Sequence, residues 1–251
     1  MSKILEIKNV CKEFGQENKT VVLKKINMEV EQGEYVVIMG QSGSGKSTLL
    51  YNISGMDKIT SGEVIFDGEN IFAYDDEKMS QLRLQKMGFI FQHSYLLKDM
   101  SLRDNIMLPA MKAKKYSKKE ILEKGNRLME RLNIDNVAEH MLNQVSGGQM
   151  QRAAICRALI NEPRILYGDE PTGALNASAT REVMDILNTI NQKGTTIVLV
   201  THDAKVAARA DRIIYLRDGE IVSSLVLGKY KPEHEKERGE KSGQWLKKQG
   251  F

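Results

Sequence analysis

The chain is 251 residues long, 41% hydrophobic and 28% charged, with 37 basic against 33 acidic side chains and a net charge of +4. This length accommodates one large α/β domain or a core with a second lobe, and the composition is that of an ordinary soluble globular protein. The charge is too mild to argue for nucleic-acid binding, and no apolar run approaches the roughly 18–20 residues needed to cross a bilayer.

The opening Met1-Ser2-Lys3-Ile4-Leu5-Glu6 lacks the apolar core of a secretory signal. Cys11 and Cys156 form no spaced cluster and read as small apolar packing residues of a cytosolic, reduced protein. From Lys229 to Phe251, seven Lys or Arg accompany four Glu, so the remainder is nearly neutral and its charge points to no partner.

In chain order, Ile4–Val10 alternates apolar and polar residues as a half-buried strand does, and Val21–Val30 alternates over its later part. Gly15–Lys19 reads as the turn between them, and the pair is expected as an antiparallel edge added to the main sheet. Phe14, just before the turn, suits either stacking on a nucleotide base or filling the core under the hairpin. Glu34–Met39 is a β-branched, apolar run that reads as a buried strand.

That strand runs into Gly40-Gln41-Ser42-Gly43-Ser44-Gly45-Lys46-Ser47-Thr48, which fits the phosphate-loop pattern G-x-x-x-x-G-K-[ST]. Ser47–Ile53 then suits the first turns of a helix. Strand, glycine turn and helix form the setting in which the pattern carries meaning. The glycines let the backbone curl so that its N–H groups point at phosphate oxygens, and the helix N-terminus adds partial positive charge. Lys46 would neutralise the β- and γ-phosphates, and Ser47 would offer its hydroxyl to Mg²⁺. A nucleoside triphosphate is the expected ligand.

Further on, Ser61–Gly68 reads as a short strand closed by a turn, Asp76–Arg83 as a helix and Gly88–Phe91 as a strand. From about Leu96 to Asn143 helix formers replace β-branched runs, and Leu128, Met129 and Leu132 share one helical face. Ser101-Leu102-Arg103-Asp104 resembles a helix cap with an acidic residue at the third helical position. This is a helical lobe inserted into a sheet domain. Strands resume at Ile165–Tyr167, Thr196–Val200 and Arg212–Leu216. Between the first two, Val183, Ile186, Leu187 and Ile190 mark an amphipathic helix. Strands alternating with helices imply a mainly parallel, doubly wound sheet.

Three later stretches carry chemistry. Ser146-Gly147-Gly148-Gln149 opens the helix through Ala153, Ala154 and Ala158; a hydroxyl and backbone N–H groups at a helix N-terminus make an anion site, although the stretch alone suits a plain cap better. Asp169 and Glu170 stand at the carboxyl end of a strand, where ligands of open α/β sheets sit. Asp169 would hold Mg²⁺ while Glu170 polarises the attacking water. His202 ends the next strand and is expected at the γ-phosphate, and Gln92 is expected at the metal or the water.

Together these residues resemble the nucleotide-binding subunit of ATP-binding-cassette transporters. The phosphate loop Gly40–Thr48, Gln92, the signature Ser146-Gly147-Gly148-Gln149, Asp169-Glu170 and His202 occur in that family's order over nearly the whole chain. The resemblance implies an ATPase with ATP and Mg²⁺ at the site and Phe14 stacked on adenine. Its fold would be a P-loop NTPase α/β domain over residues 1–228, with an antiparallel β edge subdomain and a helical subdomain at about 96–160. Residues 229–251 would form a charged tail for which composition favours disorder, with Trp245, Leu246 and Phe251 as the alternative, an anchor.

Glu170-Pro171-Thr172-Gly173-Ala174-Leu175-Asn176 resembles the subgroup serving lipoprotein release, macrolide efflux and antimicrobial-peptide resistance; the length, the Met-rich segments and the Trp245–Phe251 end look most like the bacitracin-resistance type. Asn176 departs from the aspartate usual there and puts cross-talk between sites in doubt, and Val145 replaces the usual leucine. One chain holds two phosphate-reading elements but a single lysine–magnesium kit. A homodimer with each ATP between one copy's Lys46 loop and the other's Ser146 turn resolves this. The chain would work at the cytoplasmic face of a bacterial membrane. It would drive a separate integral permease whose short helix enters a groove near Gln92–Asn105. Lys112, Lys114, Lys115, Lys118 and Lys119 suit either anionic headgroups or plain solvation. The alternative function is a cassette driving a non-transport membrane process, as in cell division or lipoprotein release.

Overall fold

A computed structural model describes residues 2–251. The chain begins with β1 (Lys3–Phe14), β2 (Thr20–Glu31), β3 (Tyr35–Met39), α1 (Lys46–Ile53), β4 (Ser61–Phe66) and β5 (Glu69–Asn70). There follow α2 (Asp76–Lys86), β6 (Met87–Phe91), α3 (Leu102–Ala113), α4 (Lys118–Arg131), α5 (Gly147–Leu159), β7 (Ile165–Asp169) and α6 (Ala177–Gln192). It closes with β8 (Thr196–Val200), α7 (Ala204–Ala207), β9 (Arg212–Arg217), β10 (Glu220–Val226) and α8 (Glu235–Lys248). Contacts divide it into two compact units, one running to Met79 and joined by Ile190–Phe251, the other Ser80–Thr189.

In the first unit, β3 and β8 are buried at every residue, and their parallel register sets Val37 opposite Leu199 and Ile38 opposite Val200. Strands covered on both faces need continuous apolar runs, which is what Glu34–Met39 and Thr196–Val200 offered in sequence. β9 pairs parallel with the other side of β3, and β10 adds an antiparallel strand beyond it. Alternate residues of β10 are exposed, so its sequence shows no apolar run.

The β1–β2 hairpin forms as expected, with Ile4, Ile7, Val10, Leu23, Ile26, Met28 and Val30 buried. It does not extend the main sheet. It belongs to a separate antiparallel sheet of order β2-β1-β4-β5, because the free side of β1 pairs with β4, Leu5 opposite Phe66 and Ile7 opposite Val64. An alternating strand announces its buried face, whereas its hydrogen-bonding neighbour is set by distant residues.

The charge-rich end of the chain is helical. α8 buries Arg238, Ser242 and Leu246 at four-residue spacing despite Gly239 and Gly243. The Arg238 guanidinium is the reason. Its Nε donates to the Ala208 carbonyl at 2.9 Å and Nη2 to that of Ala210 at 2.6 Å. Its Nη1 donates to the Leu227 and Gly228 carbonyls, each at 3.0 Å. Carbonyls freed where α7 ends and β10 ends thus find donors in the tail. Arg209 and Glu235 add an ion pair at 3.0 Å.

In the second unit, β6 and β7 pair in parallel from Met87–Ile165 to Phe91–Asp169. Helices α3, α4 and α5 pack on one another through Ile106, Met107, Ala110, Ile121, Met129, Ala153 and Cys156. Each begins at a serine, Ser101, Ser117 or Ser146, whose side chain accepts a backbone N–H of the first turn. Burial pushes the Cys156 thiol up to about 12, which makes it a packing residue rather than a nucleophile.

Replacing Arg238 with alanine is expected to lower stability by about 2–4 kcal/mol, since several hydrogen bonds to a charged donor are lost together. The check is urea denaturation, with proteolysis of the final twenty or so residues as a second readout.

Candidate functional site

The fully buried β3 must leave the sheet at Met39, and it does so through the loop Gly40–Gly45 into α1. Gly45 occupies the N-cap with φ 98°, a left-handed conformation that favours glycine. No side chain caps α1, in contrast with the serine caps of α3, α4 and α5. Lys46 Nζ donates to the Gly40 carbonyl at 2.9 Å and the Gln41 carbonyl at 2.8 Å, so the ammonium already lies within the curl of the loop. The Gly219 N–H, in the turn between β9 and β10, donates to the Ser44 carbonyl at 3.1 Å and braces the loop from outside. Ser42 and Gly43 are exposed, whereas Ser44 is buried and its Oγ has no hydrogen-bond partner. A buried orphan hydroxyl beneath an uncapped helix start fits an anionic phosphate.

The first unit also carries His202 and Phe14. His202 is exposed immediately beyond β8, so it leaves the same end of the parallel β3–β8 pair as the phosphate loop. Asp203 behind it caps α7 by accepting the Lys205 N–H at 2.7 Å. The Phe14 ring is 46% exposed, with Lys12 Nζ 4.7 Å from its centroid. It is therefore not core filling under the hairpin.

The second unit carries Gln92, the Ser146 turn, Asp169 and Glu170. Because Phe91 stands opposite Asp169 in the parallel ladder, Gln92 and Glu170 emerge side by side from neighbouring strand ends. Glu170 adopts φ 49°, an uncommon conformation for a side-chain-bearing residue, and one that clusters at functional sites. Gly173 lies so close to Gln92 that an added Cβ would stand 3.0 Å from its Nε2. Ser146 is exposed; its Oγ accepts the Gln149 N–H at 3.3 Å, while Gln149 Oε1 accepts the Ser146 N–H at 2.8 Å.

One residue acquires a role that its sequence context did not reveal. Gln151 is 3% exposed, and its Nε2 donates to the Phe91 carbonyl at 3.0 Å and the Pro171 carbonyl at 2.7 Å. It thus ties the residue before Gln92 to the residue after Glu170, from the first turns of the helix that Ser146 opens. The only signal was an amide set in an alanine-rich buried stretch. Arg157 adds a second tie, donating to the carbonyls of Ser94 and Tyr95, each at 2.7 Å. The loop so held borders a groove of about 830 Å³, with Tyr95, Leu96, Met141, Met150 and Leu175 among its walls.

A lysine held in a glycine curl at a helix start, on buried parallel strands, defines a P-loop nucleotide-binding protein of the α/β class. A family model described as "ABC transporter" matches residues 23–173. The macrolide export ATP-binding/permease protein MacB of Aggregatibacter actinomycetemcomitans is 44% identical over 221 residues, 88% of this chain and 34% of that protein. The chain therefore spans about a third of the length of its macrolide-export relatives. YknY of Bacillus subtilis, an uncharacterised ABC transporter ATP-binding protein, is 43% identical, with 87% of this chain and 95% of that one covered. Among solved structures, the ATP-binding cassette MJ0796, a dimer in a post-hydrolysis state bound to ADP and Pi, superposes with a TM-score of 0.83 at 38% identity. It covers 90% of this chain and all of its own. The chain belongs to the ABC transporter family.

Gln151→Leu keeps the volume but removes both donors from buried carbonyls. It is expected to cost about 1–3 kcal/mol in chemical denaturation, and to speed amide hydrogen exchange around Gln92 and Gly173 ahead of the rest of the second unit.

Proposed function

We propose that the chain is the ATP-binding and ATP-hydrolysing subunit of a membrane transporter, working as a pair of copies around two ATP molecules. The observation that carries this is the phosphate loop, with Lys46 inside its curl and Ser44 Oγ unsatisfied beneath it. Lys46 binds the β- and γ-phosphates, the loop N–H groups from Gly40 to Thr48 surround them, and the exposed Phe14 ring stacks on the base. Ser47, Asp169 and Gln92 offer a hydroxyl, a carboxylate and an amide oxygen, the hard donors that suit Mg²⁺. Among the described residues no group of three or more His, Cys, Asp or Glu could hold a metal alone. When bound, the cation supplies positive charge against the charge that develops during phosphoryl transfer.

Glu170 accepts a proton from the attacking water, Gln92 orients that water, and His202 donates to the γ-phosphate. The Ser146–Gln149 turn completes the site from the second copy. Ser146 and Gly147 are exposed in the single chain, and MJ0796 is a dimer, which support this reading. Loss of the γ-phosphate then releases the two copies.

Among the described residues no helix is long and apolar enough to cross a membrane. The macrolide-export relatives join ATP-binding and permease in one name, which supports a permease partner at the cytoplasmic face. The groove beside Gln92 is the place where that partner's short helix would dock. An antibiotic or antimicrobial peptide is the proposed cargo.

Glu170→Gln is expected to lower the hydrolysis rate by about 10²–10⁴-fold, the usual contribution of a general base, while ATP turns the variant into a dimer on gel filtration. A variant that binds ATP yet elutes as a monomer would overturn the paired site. Lys46→Ala is expected to lose nucleotide binding altogether, read by equilibrium dialysis.

A further inference from the structure

The helical tail ends beside the phosphate loop. Trp245, the single tryptophan of the chain, meets the Tyr215 ring edge-on with centroids 6.3 Å apart. Phe251 meets the same ring edge-on at 6.5 Å. Tyr215 is fully buried on β9 and stands opposite Met39, the last residue before the loop. Four residues beyond Tyr215 comes Gly219, whose N–H holds the Ser44 carbonyl. The tail also touches the loop directly: Gln41 Nε2 donates to the Gly250 carbonyl at 3.4 Å. Gln41 is in turn a partner of Lys46, since its own carbonyl accepts the lysine ammonium at 2.8 Å.

We infer that Trp245, Gly250 and Phe251 form a positioning clamp for the phosphate loop, so that the end of the chain senses whether the loop holds a nucleotide. A triphosphate attracts the Lys46 ammonium far more strongly than a neutral carbonyl does. Drawing the ammonium towards the phosphates leaves the Gln41 carbonyl with the Ser44 N–H as its remaining donor, at 3.2 Å, and the Gln41 side chain transmits the shift to Gly250. The strand route acts in parallel, because β9 carries both the aromatic seat of the tail and the turn that braces Ser44. The inference rests on ATP binding at the loop and adds a positioning role that the reaction itself does not require.

Trp245 supplies the test. The full chain is titrated with ATP while tryptophan emission is recorded, and occupancy is measured separately by equilibrium dialysis. Emission is expected to change saturably, with the midpoint found by dialysis. Phe251→Ala removes one edge-on contact at an exposed position, and should raise the KM for ATP about two- to tenfold with kcat within about twofold. Phe251→Tyr keeps the ring and should restore the original KM. Constant emission at full occupancy, or an unchanged KM in Phe251→Ala, overturns the clamp and leaves ATP binding standing. Failure of dialysis to detect ATP overturns the nucleotide site and the clamp with it.

Discussion

A glycine loop between a buried strand and a helix leaves carbonyls that neither the strand ladder nor the helix pairs, and these must find donors elsewhere. The Ser44 carbonyl takes the Gly219 N–H, and the Gly40 and Gln41 carbonyls take the Lys46 ammonium. These bonds hold the loop backbone at Gly40, Gln41 and Ser44. The buried β3 enforces the position, since a strand covered on both faces can release the chain only at its end. The braces come from residues far along the chain, so the loop is only as rigid as β9 and the turn behind it.

The second unit solves a different problem with similar means. Gln92 and Glu170 leave adjacent strand ends as loop residues, where a side chain gains reach and loses definition. Gln151 restores definition by bonding the backbone on both sides of the pair from within a rigid helix. That helix starts at Ser146, so the Ser146 turn and the loops bearing Gln92 and Glu170 are joined through α5. The left-handed Glu170 fits this picture, because strained backbone persists only where surrounding bonds over-determine it.

The loop and the helix starts were legible because their signals are local. Gly40–Thr48 specifies its own turn, and Ser101 and Ser146 cap their own helices through neighbours three residues away. Runs such as Thr196–Val200 declare burial on both faces by composition alone. β10 was missed because an edge strand with alternating exposure carries no such run. The hairpin was recognised but attached to the wrong sheet, because alternation reveals a strand's buried face and not its partner.

Sequence alone therefore determined that Gly40–Thr48 turns a buried strand into a helix and that Ser101 and Ser146 open helices, since each of these depends on contiguous neighbours or a short spacing. The tertiary structure alone decided that the charged tail is a helix docked beside the phosphate loop. Arg238 meets carbonyls 28 and 30 residues away, and Gln151 meets one 60 residues away. A composition count records such side chains as solvated charge or plain polarity. Whether a buried guanidinium or amide stabilises a segment depends on finding unpaired carbonyls at the right distance, and only the folded chain brings these together.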